Sequence, residues 1–257
     1  MRIGSLFSGI GGLELGLERA ILGAHTVWQV EQDEYARAVL AKHWPNAKRY
    51  QDVKEAGAHN LEPVDVICGG FPCQDISVAG KGAGLDGARS GLWTEYARIV
   101  CELRPGYIVV ENVPALLSRG LGRVLADLAA CGYDALWDCI PAAAVGAHHR
   151  RDRLFLVAWS VSNANSSTIR HRAKRTTRGR NDIQGQRQPK PRHDGASGRV
   201  ARFRPHCADW PTIAGVGRVA HGVSRRVDRL RCLGNAVVPQ VAEVVGRVIM
   251  GLEHADL

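Results

Sequence analysis

Over its first 160 residues the chain alternates short apolar runs with stretches of helical spacing. Arg2 to Phe7 reads as a strand, Ser8-Gly9-Ile10-Gly11-Gly12 as a glycine turn, and Leu13 to Leu22 as a helix. Thr26 to Val30 reads as a second strand closed by Glu31. Asp33 is placed to cap a helix running through Ala36, Val39 and Leu40. Asp52-Val53 marks the end of a third strand, and Val64 to Ile67 is a further buried run. A glycine-rich loop spans 69–91. Leu92 to Leu103 is helical, Tyr107 to Val110 is a buried strand, and Leu121 to Ala130 is helical again. Tyr133 to Ile140 alternates like a strand, and Leu154 to Ala158 is one more buried run. Strands alternating with helices predict an α/β fold, a doubly wound and mostly parallel sheet of Rossmann-like type.

The pattern stops after Trp159. Residues 160–204 are polar and basic, order resumes near Trp210, and Val237 to Met250 reads as a closing helix. This divides the chain into a sheet domain (1–159), a small basic, loop-rich lobe (160–230) and a segment returning to the sheet domain (231–257). Charge sharpens the division. The net charge is +9, yet Arg170 to Arg204 holds twelve Lys/Arg and two Asp, leaving 22 basic and 23 acidic residues elsewhere. A near-neutral body thus carries one strongly basic insert. Such a run is either a solvated loop or an arm for a polyanion, and a basic segment that orders on nucleic acid is both.

The 257 residues are 45% hydrophobic, enough for a real core. Seven cysteines form no Cys-x-x-Cys pair and no Cys/His set at metal-binding spacing. Reduced thiols, a cytoplasmic location and no metal are the expectation. No apolar stretch approaches the roughly 20 residues of a membrane span, and the glycine-broken N-terminus is a poor secretory signal, so no membrane partner is expected.

Candidate chemistry gathers at the predicted strand ends. Cys73 follows a buried run through Gly69-Gly70-Phe71-Pro72, where Pro72 fixes its own φ and biases Phe71 toward extended geometry. A thiol at the C-terminal end of a strand in an open α/β sheet is either a buried structural cysteine or a nucleophile. The glycine turn after the first strand, with Glu31 about 20 residues on, has the logic of a nucleoside crevice whose acid accepts from ribose hydroxyls. It is not the full G-x-G-x-x-G pattern, and little basic charge surrounds it, which disfavours a pyrophosphate. Glu111 closes an apolar strand, where desolvation raises a carboxyl pKa and suits it to share a proton with a ring nitrogen. Arg151 and Arg153 alternate ahead of a buried strand, suited to a base carbonyl or a phosphate.

Five blocks, in this order, resemble the cytosine-C5 DNA methyltransferases of prophage or restriction–modification type. They are Leu6-Phe7-Ser8-Gly9-Ile10-Gly11-Gly12, Gly70-Phe71-Pro72-Cys73-Gln74, Glu111-Asn112-Val113, Arg151-Asp152-Arg153 and Gly234-Asn235-Ala236-Val237-Val238-Pro239. The resemblance covers residues 1–159 and about 229–250. It implies a methyltransferase fold that uses S-adenosylmethionine, with residues 160–230 as target-recognition lobe. The implied cofactor residues are Phe7, Ser8, Gly9, Gly11, Gly12, Leu13, Glu31, Gln32, Asp52, Val53, Gly70, Pro72, Leu92, Asn235, Ala236 and Val237. The implied catalytic residues are Cys73, Glu111, Arg151 and Arg153, with Cys73 adding to C6 of a cytosine flipped out of duplex DNA and Glu111 engaging N3. Candidate DNA contacts are Gln74, Ser77, Lys81 and Arg89 in the loop after Cys73, and Arg170, Arg172, Lys174, Arg175, Arg178, Arg180 and Arg218 in the basic lobe. Two positions depart from the family: Gln32 where an aromatic often stacks on adenine, and His149 where glutamine is usual.

The resemblance also implies a monomer, with a cognate restriction nuclease as a candidate partner. Two alternatives stand beside it. A tRNA cytosine-C5 methyltransferase usually carries a Cys-Phe-Thr tripeptide, which this chain lacks. A catalytically inactive DNA-binding protein on the same scaffold would not need Cys73, Glu111 and Asn235 intact.

Overall fold

The computed structural model describes residues 1–72, 91–161 and 226–254. In chain order the elements are β1 (Arg2–Leu6), α1 (Gly12–Ala20), β2 (His25–Val30), α2 (Glu34–His43), β3 (Lys48–Tyr50), β4 (Val66–Gly69) and α3 (Leu92–Leu103). There follow β5 (Tyr107–Asn112), α4 (Leu116–Arg119), α5 (Leu121–Ala130), β6 (Tyr133–Pro141), a 3-10 turn (Ala142–Val145) and β7 (Asp152–Ser160). The chain closes with α6 (Arg226–Asn235) and α7 (Pro239–His254).

The seven strands form one sheet in the order β3-β2-β1-β4-β5-β7-β6. Neighbours are parallel except β7, which runs antiparallel to both β5 and β6. Both faces are covered, so the central strands are continuous apolar runs rather than alternating ones. On one face α1 and α7 pack over Ile3, Val66, Val109 and Val157. On the other, Trp93, Tyr96 and Ile99 of α3 and Val124 and Leu128 of α5 pack over Trp28, Ile67, Ile108 and Leu156. Each aliphatic side chain so buried contributes roughly 1.5–3 kcal/mol. The order reverses between β1 and β4, because the chain winds outward from β1 to β3 and then returns. Open α/β sheets bind ligands in the crevice beyond the C-terminal strand ends at such a reversal.

α7 lies against α1, with Val241, Ala242, Val245 and Ile249 meeting Leu13, Leu17 and Ile21. The approach is close: a Cβ on Gly16 would stand 2.3 Å from the carbonyl oxygen of Pro239.

Several elements differ from the sequence reading. A helix, α6, stands where a turn into the closing helix was expected. α7 starts at Pro239 rather than Val237, since proline favours a first helical turn and residues 236–238 are drawn into contacts with Gly12 and Arg151. α1 ends at Ala20, leaving Leu22 fully exposed. Cys101 and Cys131 pair as a disulfide with Cα atoms 5.8 Å apart, where only reduced thiols were expected. They lie 30 residues apart, and it is the packing of α3 beside α5 that brings them together. The stretch Val227–Glu253 is apolar and long enough to cross a membrane, although no such stretch was expected. It is broken at 236–238, and α7 spends its apolar face on α1.

Candidate active site

A cleft of about 660 Å³ opens at the C-terminal ends of β1, β2, β4 and β5. The exit from β1 forms its base. Phe7 (φ 53°), Gly9 (φ 55°) and Gly11 (φ 85°) all take left-handed geometry, which turns the chain sharply into α1. The Ser8 amide donates to the Val30 carbonyl at 3.2 Å, and the Gly11 amide to Ser8 at 3.0 Å. Glu31 locks the turn to the end of β2. Its two carboxylate oxygens accept from the backbone amides of Gly9 (2.7 Å) and Asp33 (2.8 Å). Burial raises the Glu31 pKa, and these two amides offset part of the rise. Asp33 in turn caps α2, its Oδ1 accepting from the Ala36 amide at 2.9 Å, as the sequence predicts.

Phe7, Ser8, Gly9, Gly12, Leu13, Glu31, Gln32, Asp52, Val53, Gly70, Pro72, Leu92, Asn235, Ala236 and Val237 all line this cleft. Gly11 faces a neighbouring opening of about 830 Å³, together with Arg19, His149 and Arg151. The C-terminal block meets the glycine turn directly: a Cβ on Gly12 would lie 2.3 Å from the Val237 carbonyl oxygen. The lining acids are Glu14, Glu31, Asp33, Asp52 and Glu111, and the bases are Lys54, Arg153 and Arg231. Arg153 is paired with Glu111, and Arg231 with Asp33. An acid-rich cleft with its arginines engaged suits a neutral or cationic nucleoside ligand and opposes a pyrophosphate. Among the described residues no group of three or more His, Cys, Asp or Glu side chains is placed to hold a metal ion.

At the opposite wall, Glu111 is the penultimate residue of β5 and Arg153 the second of β7, on the same face of the sheet. Arg153 Nε lies 3.1 Å from Glu111 Oε1. The other oxygen rests against Gly70, where an added Cβ would stand only 2.6 Å away. Glu111 is therefore held at the exit of β4, three residues before Cys73 in the chain. Asn112 Nδ2 donates to the Phe71 carbonyl at 3.3 Å, and Phe71 packs against Trp93 with ring centroids 5.2 Å apart. Both contacts fix the approach to Pro72. Burial raises the Glu111 pKa, held in check first by Arg153 and then by Arg151.

The two arginines divide their work. Arg151 has φ 38° and precedes β7, so strand alternation does not govern it. Its guanidinium donates to the carbonyls of Gly234 (2.8 Å) and Ala236 (2.6 Å), tying the C-terminal block to the sheet. Arg153 makes the ion pair with the carboxylate, and Arg151 acts on it only at longer range. Cys73, Gln74, Ser77, Lys81, Arg89, Arg170, Arg172, Lys174, Arg175, Arg178, Arg180 and Arg218 lie outside the described residues.

The sequence reading missed Glu14, Asn112 and Arg231 as lining residues. Glu14 left a signal: it sits with Leu13 and Leu17 on the buried face of α1, an acid inside an apolar stripe. Arg231 left none, because it reaches the cleft only through the ion pair between α6 and the N-terminus of α2.

Comparison with known proteins identifies the family. A model of the family C-5 cytosine-specific DNA methylase matches residues 1–202. The chain is 38% identical over 166 residues to the type II methyltransferase M2.BsuMI of Bacillus subtilis (strain 168), covering 62% of this chain and 42% of that protein. It is 33% identical over 159 residues to the type II methyltransferase M.NgoBI of Neisseria gonorrhoeae, covering 60% and 49%. A solved structure assigned as a DNA modification methyltransferase encoded within an E. coli prophage superposes with a TM-score of 0.54 at 30% identity, over 63% of this chain and 47% of that one. The chain spans about half the length of the relatives it matches.

Proposed function

Because the chain belongs to the C-5 cytosine-specific DNA methylase family, we propose that it methylates C5 of a cytosine flipped out of duplex DNA, with S-adenosylmethionine as donor. The observation that carries this reading is the joining of two half-sites in one cleft. The glycine turn with its acid forms one wall, and the Glu111–Arg153 pair against Gly70 forms the other. The donor fits the residues present, since the cleft is nucleoside-sized, rich in acids and without a free arginine cradle for phosphates. Phe7, Glu31, Asp52, Asn235 and Val237, which line the cleft, would hold it. When bound, it supplies an electrophilic methyl group on a sulfonium.

Cytosine C5 is too weak a nucleophile to take a methyl group unaided. The Cys73 thiolate adds to C6, and the electron pair of the C5=C6 bond becomes available at C5 while Glu111 holds a proton at N3. A carboxyl whose pKa is raised by burial and restrained by a guanidinium 3.1 Å away is suited to sharing that proton. Once C5 carries the methyl group, loss of its proton expels Cys73 and restores the ring. Basic residues 170–204 attract the DNA backbone.

The test is transfer of a tritiated methyl group to duplex DNA, with tRNA as the competing substrate. Duplex containing 5-fluorocytosine, which has no C5 proton to lose, should trap the protein covalently, and Cys73→Ser should abolish both trapping and turnover. Turnover undiminished in Cys73→Ser refutes the mechanism, and labelling of tRNA alone refutes the DNA substrate.

A further inference from the structure

Arg151 stands between the two walls of the cleft and takes no step in the chemistry above. It immediately precedes β7 with φ 38°, a left-handed backbone that a side chain of this size keeps only where its surroundings hold it. One guanidinium nitrogen serves two acceptors: Nη2 donates to the Gly234 carbonyl at 2.8 Å and to the Ala236 carbonyl at 2.6 Å. Both carbonyls belong to the link between α6 and α7, whose Asn235, Ala236 and Val237 line the cleft beside the glycine turn. Within that link the Ala236 amide reaches the Leu233 carbonyl only at 3.4 Å, and on its far side the Val237 carbonyl closes on Gly12. Two residues past Arg151, Arg153 pairs with Glu111 at 3.1 Å and donates to the Asp152 carbonyl at 2.8 Å. Three consecutive residues thus hold the glycine-turn wall with one arginine and the Glu111 wall with the other. The Arg151 charge also bears on Glu111 at longer range.

We propose that Arg151 is a positioning residue that couples the two walls, so that donor bound at the link and cytosine bound at Glu111 strengthen each other. This coupling presupposes the donor and cytosine sites of the proposed function and adds a linkage between them. A donor seated against Asn235 and Val237 fixes the link, and the link fixes the Arg151 guanidinium and the backbone that carries Arg153. The Glu111–Arg153 pair then meets the base already in place, which spares an ordering cost that base binding would otherwise carry. Linkage makes the effect mutual: the factor by which DNA tightens donor-site binding equals the factor by which the donor-site ligand tightens DNA binding. Arginine suits the task because its planar end presents two N–H groups to two carbonyls at once, whereas a lysine ammonium is a point charge without that fork.

Equilibrium binding of S-adenosylhomocysteine, alone and with a saturating duplex that the protein methylates, tests this. DNA should tighten that binding roughly fivefold or more in the parent, the lower end of couplings between sites. Arg151→Gln should bring the enhancement to within about twofold of none. Arg151→Lys, which keeps the charge but loses the fork, should keep part of it. Poor folding cannot imitate the loss: partial unfolding enlarges the enhancement, because DNA also selects the folded form. No enhancement in the parent with both ligands bound overturns the coupling, as does the full parental enhancement in either variant. A parent that binds no S-adenosylhomocysteine, or methylates no duplex, overturns the proposed function, and the coupling with it.

Discussion

Replacing Glu14 by glutamine should change how the stability of the unliganded protein depends on pH. The native state holds the Glu14 proton more tightly than the unfolded chain, because burial raises its pKa from 4.5 to about 7. Protonation therefore favours the native state, and stability falls as pH rises through that window. The penalty from ionised Glu14 grows from about 1 kcal/mol at pH 5 to about 3 kcal/mol at pH 8. Glutamine cannot ionise, and any cost of its unpaired amide is the same at every pH. Relative to the parent, the variant should gain about 2 kcal/mol between pH 5 and pH 8. At a urea dependence of about 2–3 kcal/mol per molar, that is a relative midpoint shift of roughly 0.7–1 M. Urea unfolding of both proteins at pH 5, 6, 7 and 8, without ligand, measures it. A stability difference constant across that range would show that Glu14 is solvated or paired in solution, and the argument from its burial would fall.

Gly70→Ala tests the placement of Glu111: the new Cβ would stand 2.6 Å from Oε2, and ordinary contact begins near 3.4 Å. With Oε1 held by Arg153, the carboxylate must shift by most of an ångström, and turnover at saturating donor and DNA should fall roughly 100-fold; an unchanged rate would mean that the reaction does not need the carboxylate there. Replacing Arg170, Arg172, Lys174, Arg175, Arg178 and Arg180 by alanine should weaken binding to all DNA sequences alike. It should also flatten a salt dependence whose slope is about −5 if half of the twelve basic residues meet phosphates. A slope left unchanged would move the phosphate contacts to the sheet domain.

Local order is what the sequence carried well. α3 and α5 run over the residues that helical spacing predicts, and the Asp33 cap and the buried runs of β4, β5 and β7 lie where the apolar pattern puts them. These features depend on neighbours a few residues apart, and amphipathic period and capping chemistry report them directly. The glycine turn, Glu31 and the Glu111 strand end were legible for the same reason, since each is tied to the end of a predictable strand.

What the tertiary structure decided are the pairings between distant segments. Arg151 was expected beside Arg153 facing a ligand; instead it holds carbonyls some 80 residues away, because the break in strand geometry at φ 38° turns it toward the C-terminal block. The Cys101–Cys131 pair, the Arg231–Asp33 ion pair and the complete burial of Glu14 arise from helix packing that no short-range period encodes. By itself the sequence determined most strands and turns and singled out candidate reactive groups, because those follow from local spacing. Which of those groups are buried, paired or left alone was decided only when the sheet and its helices came together, since desolvation and charge pairing depend on neighbours brought in from across the chain.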